Sequence, residues 1–189
     1  ITITPVDDPD VEGDETVTLT VTSGSGYTVG SAASDTVTIA DNDTAWAGAA
    51  DGFESGDGSG GTGWAGPWSL SKDATVTTSG GAHSGSYHLQ LTKDGVASRT
   101  VDLSGQSGLT LSFWWKANSL ESGEYALIEV NDGTGWTTLR TIQDGDDDNV
   151  YHYASYDLSG FDMVSDFEVR ISLSAGSRDW VFIDDILIQ

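Results

Sequence analysis

Two adjacent carboxylates, Asp184 and Asp185, interrupt an otherwise apolar run, Trp180-Val181-Phe182-Ile183-Asp184-Asp185-Ile186-Leu187-Ile188. The run reads as a β-strand of β-branched and aromatic residues. Neighbours on a strand point to opposite faces, so at least one of the two acids heads into the protein. A buried carboxylate needs a cation or several hydrogen bonds. Far upstream, Asp51-Gly52-Phe53-Glu54-Ser55-Gly56-Asp57 is a second acidic segment. Brought together, Asp51, Glu54, Asp184 and Asp185 offer hard oxygen ligands to one divalent cation, with Ca2+ and its six to eight oxygens the best match. Such an ion would pin the first and last strands of a sandwich to each other. The other reading is that Asp184 and Asp185 cap backbone amides at a β-bulge.

A second set of residues suits recognition. In 109–116, Leu109, Leu111, Phe113 and Trp115 share one strand face and read as core, while Thr110, Ser112, Trp114 and Lys116 share the other. A Trp beside a Lys on an outer sheet face is a candidate sugar platform, because an aromatic face stacks on a pyranose ring. The same alternation turns Ala126, Ile128 and Val130 inward and Tyr125, Leu127 and Glu129 outward. It turns Val169 and Ile171 inward, Glu168 and Arg170 outward, and sets Tyr153 against His152 and Ala154. The predicted patch is Trp114, Tyr125, Glu129, Arg140, Tyr153 and Arg170; the alternative is a second sandwich layer covered by loops. Asp144-Gly145-Asp146-Asp147-Asp148-Asn149 is oxygen-rich and nominates Asp146 and Asp148 as cation ligands, or else is a solvated acidic turn, since the terminal Glu of an EF-hand loop is missing. Trp64, Trp68 and Trp136 lie in or beside Gly-rich turns and read as a rim or a plug.

The elements that must position these residues are strands. Seven Trp, 24 Gly and abundant Ser and Thr indicate an all-β chain with many turns. Alternating or apolar runs at 16–22, 34–39, 87–91, 97–103, 109–116, 125–130, 137–142, 152–158, 167–173 and 180–188 are each bounded by Gly, Asn, Asp or Ser. No stretch has helical periodicity. Thirty acidic residues against seven basic ones, a net charge of −23, argue against nucleic acid and anionic membranes as partners. The absence of Cys excludes disulfides and thiol chemistry. His83, His88 and His152 have no zinc-ligand spacing, and neither a Gly-flanked nucleophilic Ser nor a phosphate-cradling loop is present, so no catalytic residue is assigned. The start at Ile1-Thr2-Ile3, within a strand pattern, suggests a piece of a longer secreted chain.

Two resemblances refine this. The run from Val6 to Val21, followed by Tyr27, Gly30 and Thr38-Ile39-Ala40-Asp41-Asn42-Asp43, resembles the C-terminal half of a Calx-β domain, an immunoglobulin-like sandwich. The resemblance implies calcium ligands at Asp7, Asp8, Glu12, Asp41 and Asp43, in a site left incomplete by the missing N-terminal half. Phe53-Glu54, Leu111-Ser112-Phe113-Trp114-Trp115 and Ile183-Asp184-Asp185-Ile186 make 51–189 similar to MAM-like jelly rolls and to the carbohydrate-binding and adhesion modules of that architecture. Every cysteine of the animal MAM domains is missing. This second resemblance implies a structural cation between the terminal strands, with the His83–Ser86 turn, Ser86 included, supplying further oxygens.

The expected fold is therefore an antiparallel β-sandwich (jelly roll) over 51–189, a linker over 44–50 and a partial immunoglobulin-like unit over 1–43. The expected function is a non-catalytic, calcium-stabilised extracellular module that binds carbohydrate or a cell-surface ligand, within a larger secreted or surface-anchored bacterial protein and without membrane insertion. The alternative is a structural spacer, or an accessory domain of a secreted protease or polysaccharide hydrolase.

Overall fold

The computed structural model describes Thr4, residues 13–41 and residues 46–189. No helix forms among them, so none is long and apolar enough to cross a membrane. The chain divides into two compact units, Ile1–Trp46 and Ala47–Gln189.

In the first unit, β1 (Glu15–Thr20) and β2 (Ser34–Ile39) pair antiparallel from Glu15↔Ile39 to Thr20↔Ser34. The Thr18 and Thr36 hydroxyls meet across the pair at 2.8 Å. Thr16 to Thr22 is expected to be a half-buried strand. Instead β1 ends at Thr20, and Leu19 and Val21 are about half exposed, 51% and 52%. A two-stranded ribbon has no facing layer to bury them. Asp41 closes the open end of the hairpin: its carboxylate accepts the Gly13 N–H at 2.8 Å, and its own N–H donates to Asp14 at 3.2 Å. Asp7, Asp8, Glu12 and Asp43 lie outside the described residues.

The second unit holds eleven strands: β3 (Ala49–Asp51), β4 (Ser69–Leu70), β5 (Ala74–Thr77), β6 (His88–Thr92), β7 (Val96–Val101), β8 (Thr110–Asn118), β9 (Tyr125–Asn131), β10 (Trp136–Gln143), β11 (His152–Asp157), β12 (Phe167–Ser174) and β13 (Trp180–Ile188). One sheet runs β10-β9-β12-β7-β4. The other runs β11-β8-β13-β6-β5, with β3 added to the end of β13. Every pairing is antiparallel, and the two sheets make a jelly-roll sandwich. The expected linker is shorter than 44–50, because Ala49 and Ala50 pair with Ile188 and Leu187.

Strand alternation places the core as read. Phe167, Val169, Ile171 and Leu173 face Leu111, Phe113, Trp115 and Ala117 across the sandwich, all buried. Each such large side chain removed from water contributes about 2 kcal/mol. The interior also holds a charge pair that bridges the sheets. Arg99 on β7, 5% exposed, donates to Asp51 of β3 at 2.5 Å and to the carbonyls of Gly66 and Gly60 at 2.6 and 2.7 Å. Trp64 and Trp68 lie over its guanidinium at 5.0 and 5.8 Å, and the Trp68 indole also donates to Asp51. Trp64 and Trp68 therefore plug this end of the sandwich.

Candidate functional site

The two acidic segments address one turn, 83–87, from its two ends. β13 breaks register against β8 between Asp184 and Leu187, and Asp185 takes φ +47°. This bulge lets two successive acids address one turn. Asp184, fully buried, accepts from the N–H groups of His83 (2.8 Å) and Ser84 (3.2 Å) on Oδ2, and from Asp185 N–H (2.8 Å) on Oδ1. Asp185 accepts from the Ser84 hydroxyl at 2.6 Å and meets His83 Nδ1 at 2.7 Å. From the N-terminal side, Glu54 Oε1 accepts the N–H groups of Ser86 (2.9 Å) and Tyr87 (2.8 Å). Gly85, at φ +59°, lets the turn lie flat on that carboxylate: a Cβ there would stand 2.4 Å from Glu54 Cδ. Amide capping at a bulge, one of the two readings of Asp184-Asp185, is thus present in detail.

Electrostatics mark Asp184 out. Burial pushes its carboxyl up to about 6, and the charge of Asp185 adds to the rise against the pull of the amide bonds. Burial, then the charges of Asp184 and Asp185, push the Tyr151 hydroxyl up as well. Among the described residues no Lys or Arg forms an ion pair with Glu54, Asp184 or Asp185, and the one basic partner is His83. The clasp is therefore acidic and short of positive charge, but the ligand atoms of Glu54, Asp184 and Asp185 do not all lie within 4.8 Å of one another. Asp51 is not part of it: one oxygen takes Arg99 and Trp68, the other the Phe53 N–H. That expectation is corrected, because the β3 register points Asp51 between the sheets rather than at the turn. Ser86 contributes its amide, which caps Glu54.

The predicted recognition patch is divided between opposite faces of the sandwich. Trp114 and Tyr153 are cross-strand partners on the outer face of the six-stranded sheet. His83 stacks on Trp114 with centroids 3.8 Å apart and planes at 13°, so the turn that caps Asp184 also covers the indole. Lys116 is closed in beside it, 5% exposed, donating to the carbonyls of Gly80 (2.7 Å) and Gly81 (3.1 Å) and lying over the rings of Tyr151 and Phe182. Tyr153 stays 58% exposed. Tyr125, Glu129 and Arg170 belong to the outer face of the other sheet. Arg140 belongs to neither: a bulge between Thr138 and Arg140 sets it opposite the core residue Ile128, and its guanidinium lies 4.3 Å over Trp115. Alternation counted through that bulge gave the wrong face.

Within the five-stranded sheet the arrangement is tighter than the sequence implied. Arg170 and Glu129 are directly opposite on β12 and β9, with Nε and Nη2 both donating to one Glu129 oxygen at 2.9 and 2.8 Å. The guanidinium lies 3.7 Å over the ring of Trp136, which is 36% exposed. Trp136 opens β10, and its neighbour Thr138 faces Glu129, so alternation started one residue earlier would have put this Trp on the patch. Tyr125, 41% exposed, ends β9 on the same face.

The 144–149 loop brings no cation ligands together. Asp146 accepts the Gln143 N–H and pairs with Arg140 at 3.7 Å; Asp148 accepts the Val150 N–H and pairs with His152 at 3.0 Å. Asp146 and Asp148 are therefore removed as a joint site, since each turns to its own basic partner.

The sandwich is similar to a carbohydrate-binding module. That module, of family 61 and solved in complex with β-1,4-galactotriose, matches with a TM-score of 0.53 at 22% identity over 73% of this chain and 93% of its own. The K2 cleaved adhesin domain of Lys-gingipain matches with a TM-score of 0.53 at 15% identity over 76% of this chain and 99% of its own. No protein-family model matches the chain, and no curated protein matches it. The two likenesses carry the jelly-roll fold and do not extend to the Calx-β or MAM-like resemblance.

Proposed function

We propose that the sandwich is a non-catalytic carbohydrate-binding module of an extracellular protein, reading its ligand on the outer face of the five-stranded sheet. The observation that carries this is Trp136, an exposed indole held from behind by Arg170, which Glu129 fixes in turn. A ring immobilised in this way stacks on the apolar face of a pyranose at little entropic cost, while Arg170, anchored by the buried Glu129, stays beside it to hydrogen-bond hydroxyls. Tyr125, six residues along β9 from the partner of Trp136 and so about 20 Å away, offers a second aromatic on the same face. The shared fold with a module that holds β-1,4-galactotriose supports a glycan ligand. The test is retention on a glycan array and on immobilised polysaccharides. Trp136→Ala and Arg170→Ala should abolish retention while Trp114→Ala keeps it. Retention on no glycan, or wild-type retention by both variants, overturns the reading.

The reading includes a Ca2+ ion at the clasp, for which Glu54, Asp184 and Asp185 would have to be drawn closer together than the structure holds them, with peptide oxygens of the 83–86 turn completing the shell. When bound it supplies the positive charge that the buried Asp184 lacks. Its stabilisation follows RT ln(1 + [L]/Kd), about 3 kcal/mol at a hundredfold excess over Kd. Chelator should lower the melting temperature, and Glu54→Ala or Asp185→Ala should remove that response. An unchanged melting curve in chelator removes calcium from the proposal. The covering of Trp114 by His83 favours a structural role for the outer face of the six-stranded sheet, whichever way the glycan assay falls.

A further inference from the structure

The sandwich contains another carboxylate cluster, apart from the clasp. β8 leaves the six-stranded sheet and reaches β9 of the five-stranded sheet through 119–124. β12 leaves the five-stranded sheet and returns to β13 through 175–179. Glu124 ties these two crossovers together: its carboxylate accepts the Glu121 N–H at 2.9 Å and the Gly176 N–H at 2.7 Å. One oxygen each from Glu121, Glu124 and Asp179 then lies within 4.8 Å of the other two, the one such trio of acidic or imidazole groups among the described residues.

An acidic cluster alone is unremarkable on a chain of this charge. Asp179 distinguishes this one: it is 2% exposed, and no described residue donates a hydrogen bond to its carboxylate or pairs with it as a cation. Gly176 packs directly on the cluster, since a Cβ there would stand 2.5 Å from Asp179 Oδ2 and 3.2 Å from Glu124 Oε1. Arg178, the nearest basic residue in sequence, is exposed and forms no ion pair within 4.0 Å. A buried carboxylate among like charges, without donor or counter-ion, is unfavourable unless a cation joins it.

We propose that Glu121, Glu124 and Asp179 bind a divalent cation, Ca2+ by chemistry, that fastens the two crossover loops to each other. Calcium–oxygen bonds of about 2.3–2.6 Å bridge oxygens up to about 5 Å apart, which spans this trio with little adjustment; Mg2+, at about 2.1 Å, demands a closer octahedron. Zinc prefers the nitrogen and sulfur ligands that this cluster lacks. The site is independent of the clasp and of the glycan reading.

The test is calorimetric titration of the full chain with CaCl2, alongside melting curves in calcium and in chelator. The double variant Glu121→Gln/Glu124→Gln should bind one Ca2+ fewer per chain than wild type. It should melt higher than wild type in chelator, where repulsion is relieved, and lower in calcium. Glu54→Gln should leave this site's ion in place, which separates it from the clasp. Unchanged stoichiometry in the double variant, or a higher melting temperature in both media, overturns the proposal. If the double variant does not fold, the single exposed change Glu121→Gln carries the test: at least a tenfold weaker Ca2+ affinity is expected, and wild-type affinity overturns it.

Discussion

Asp51 and Asp184 are buried carboxylates on neighbouring strands, β3 and β13, and the protein satisfies them by different means. Asp51 faces the space between the sheets and meets a full positive charge on Arg99 together with an indole N–H and a backbone N–H. Asp184 faces outward beneath a single turn and receives three backbone N–H bonds with no Lys or Arg. The difference teaches that a buried carboxylate can be balanced by a full opposite charge or held by amide dipoles alone. Between the sheets a guanidinium neutralises it; under the surface turn, three backbone N–H groups hold it without a cation from the chain.

The largest effect should come from breaking the interior pair. Arg99→Met removes the cation and leaves Asp51 buried between the sheets, a change that costs about 3–5 kcal/mol. Denaturant unfolding would measure it. Asp51→Asn/Arg99→Met, which removes both charges, should recover much of the loss. If Arg99→Met unfolds at the wild-type midpoint, Asp51 does not depend on Arg99 and the contrast with Asp184 collapses.

The same two acids show what could be read from the sequence. The strands of the sandwich were legible because each alternates or runs apolar between turn residues; β12 follows that alternation residue by residue, and β9 does so except at Glu129, which is buried under Arg170. That Asp184 and Asp185 need partners was legible too, because two acids inside an apolar strand cannot stay bare, and the 83–84 turn supplies those partners. Other features were not. β4 and β5 are short and carry little pattern. The bulge in β10 reversed the face assigned to Arg140, and a bulge leaves no mark in a binary pattern. The sheet order, which sets Trp114 and Tyr125 on opposite sides of the molecule, is a matter of topology that no strand encodes by itself. Asp51 was assigned to the clasp because it is close to Glu54 in sequence; only the β3–β13 register shows it turning to Arg99 instead. Glu121, Glu124 and Asp179 escaped notice because their loops are far apart in sequence and become neighbours only through the two crossovers.

A smaller effect sharpens the other half of the comparison. The folded-state value of Asp184, near 6, stands above its ordinary 3.8, so the folded protein holds the proton more tightly than the unfolded chain. This contribution to stability is fully present below about pH 4 and is lost as pH rises through 6. In chelator, wild type should therefore lose about 2 kcal/mol between pH 4 and pH 7 that Asp184→Asn does not lose. Comparing the two slopes cancels the other carboxylates. With calcium present the slope should vanish or reverse, since the ion binds only the ionised group. Parallel pH profiles for the two proteins in chelator would place Asp184 beside Asp51, as a carboxylate already satisfied by the chain.

The smallest effect tests whether the turn, rather than the acids, shapes the clasp. Gly85 takes φ +59°, a conformation that costs a residue with a Cβ about 1 kcal/mol. An added methyl would also meet Glu54 Oε1 and Oε2 at 2.4 and 2.7 Å. The carboxylate is the far end of a flexible side chain and can swing aside, but doing so gives up the bonds from Ser86 and Tyr87. Gly85→Ala should therefore destabilise by about 1–2 kcal/mol in chelator. In calcium the penalty should grow, because the displaced Glu54 is also a proposed ligand. An equal penalty in both media would mean that Glu54 serves the turn alone and that any ion at Asp184-Asp185 is held without it. Arg99→Met should show no such calcium dependence, since the interior pair carries its own counter-charge.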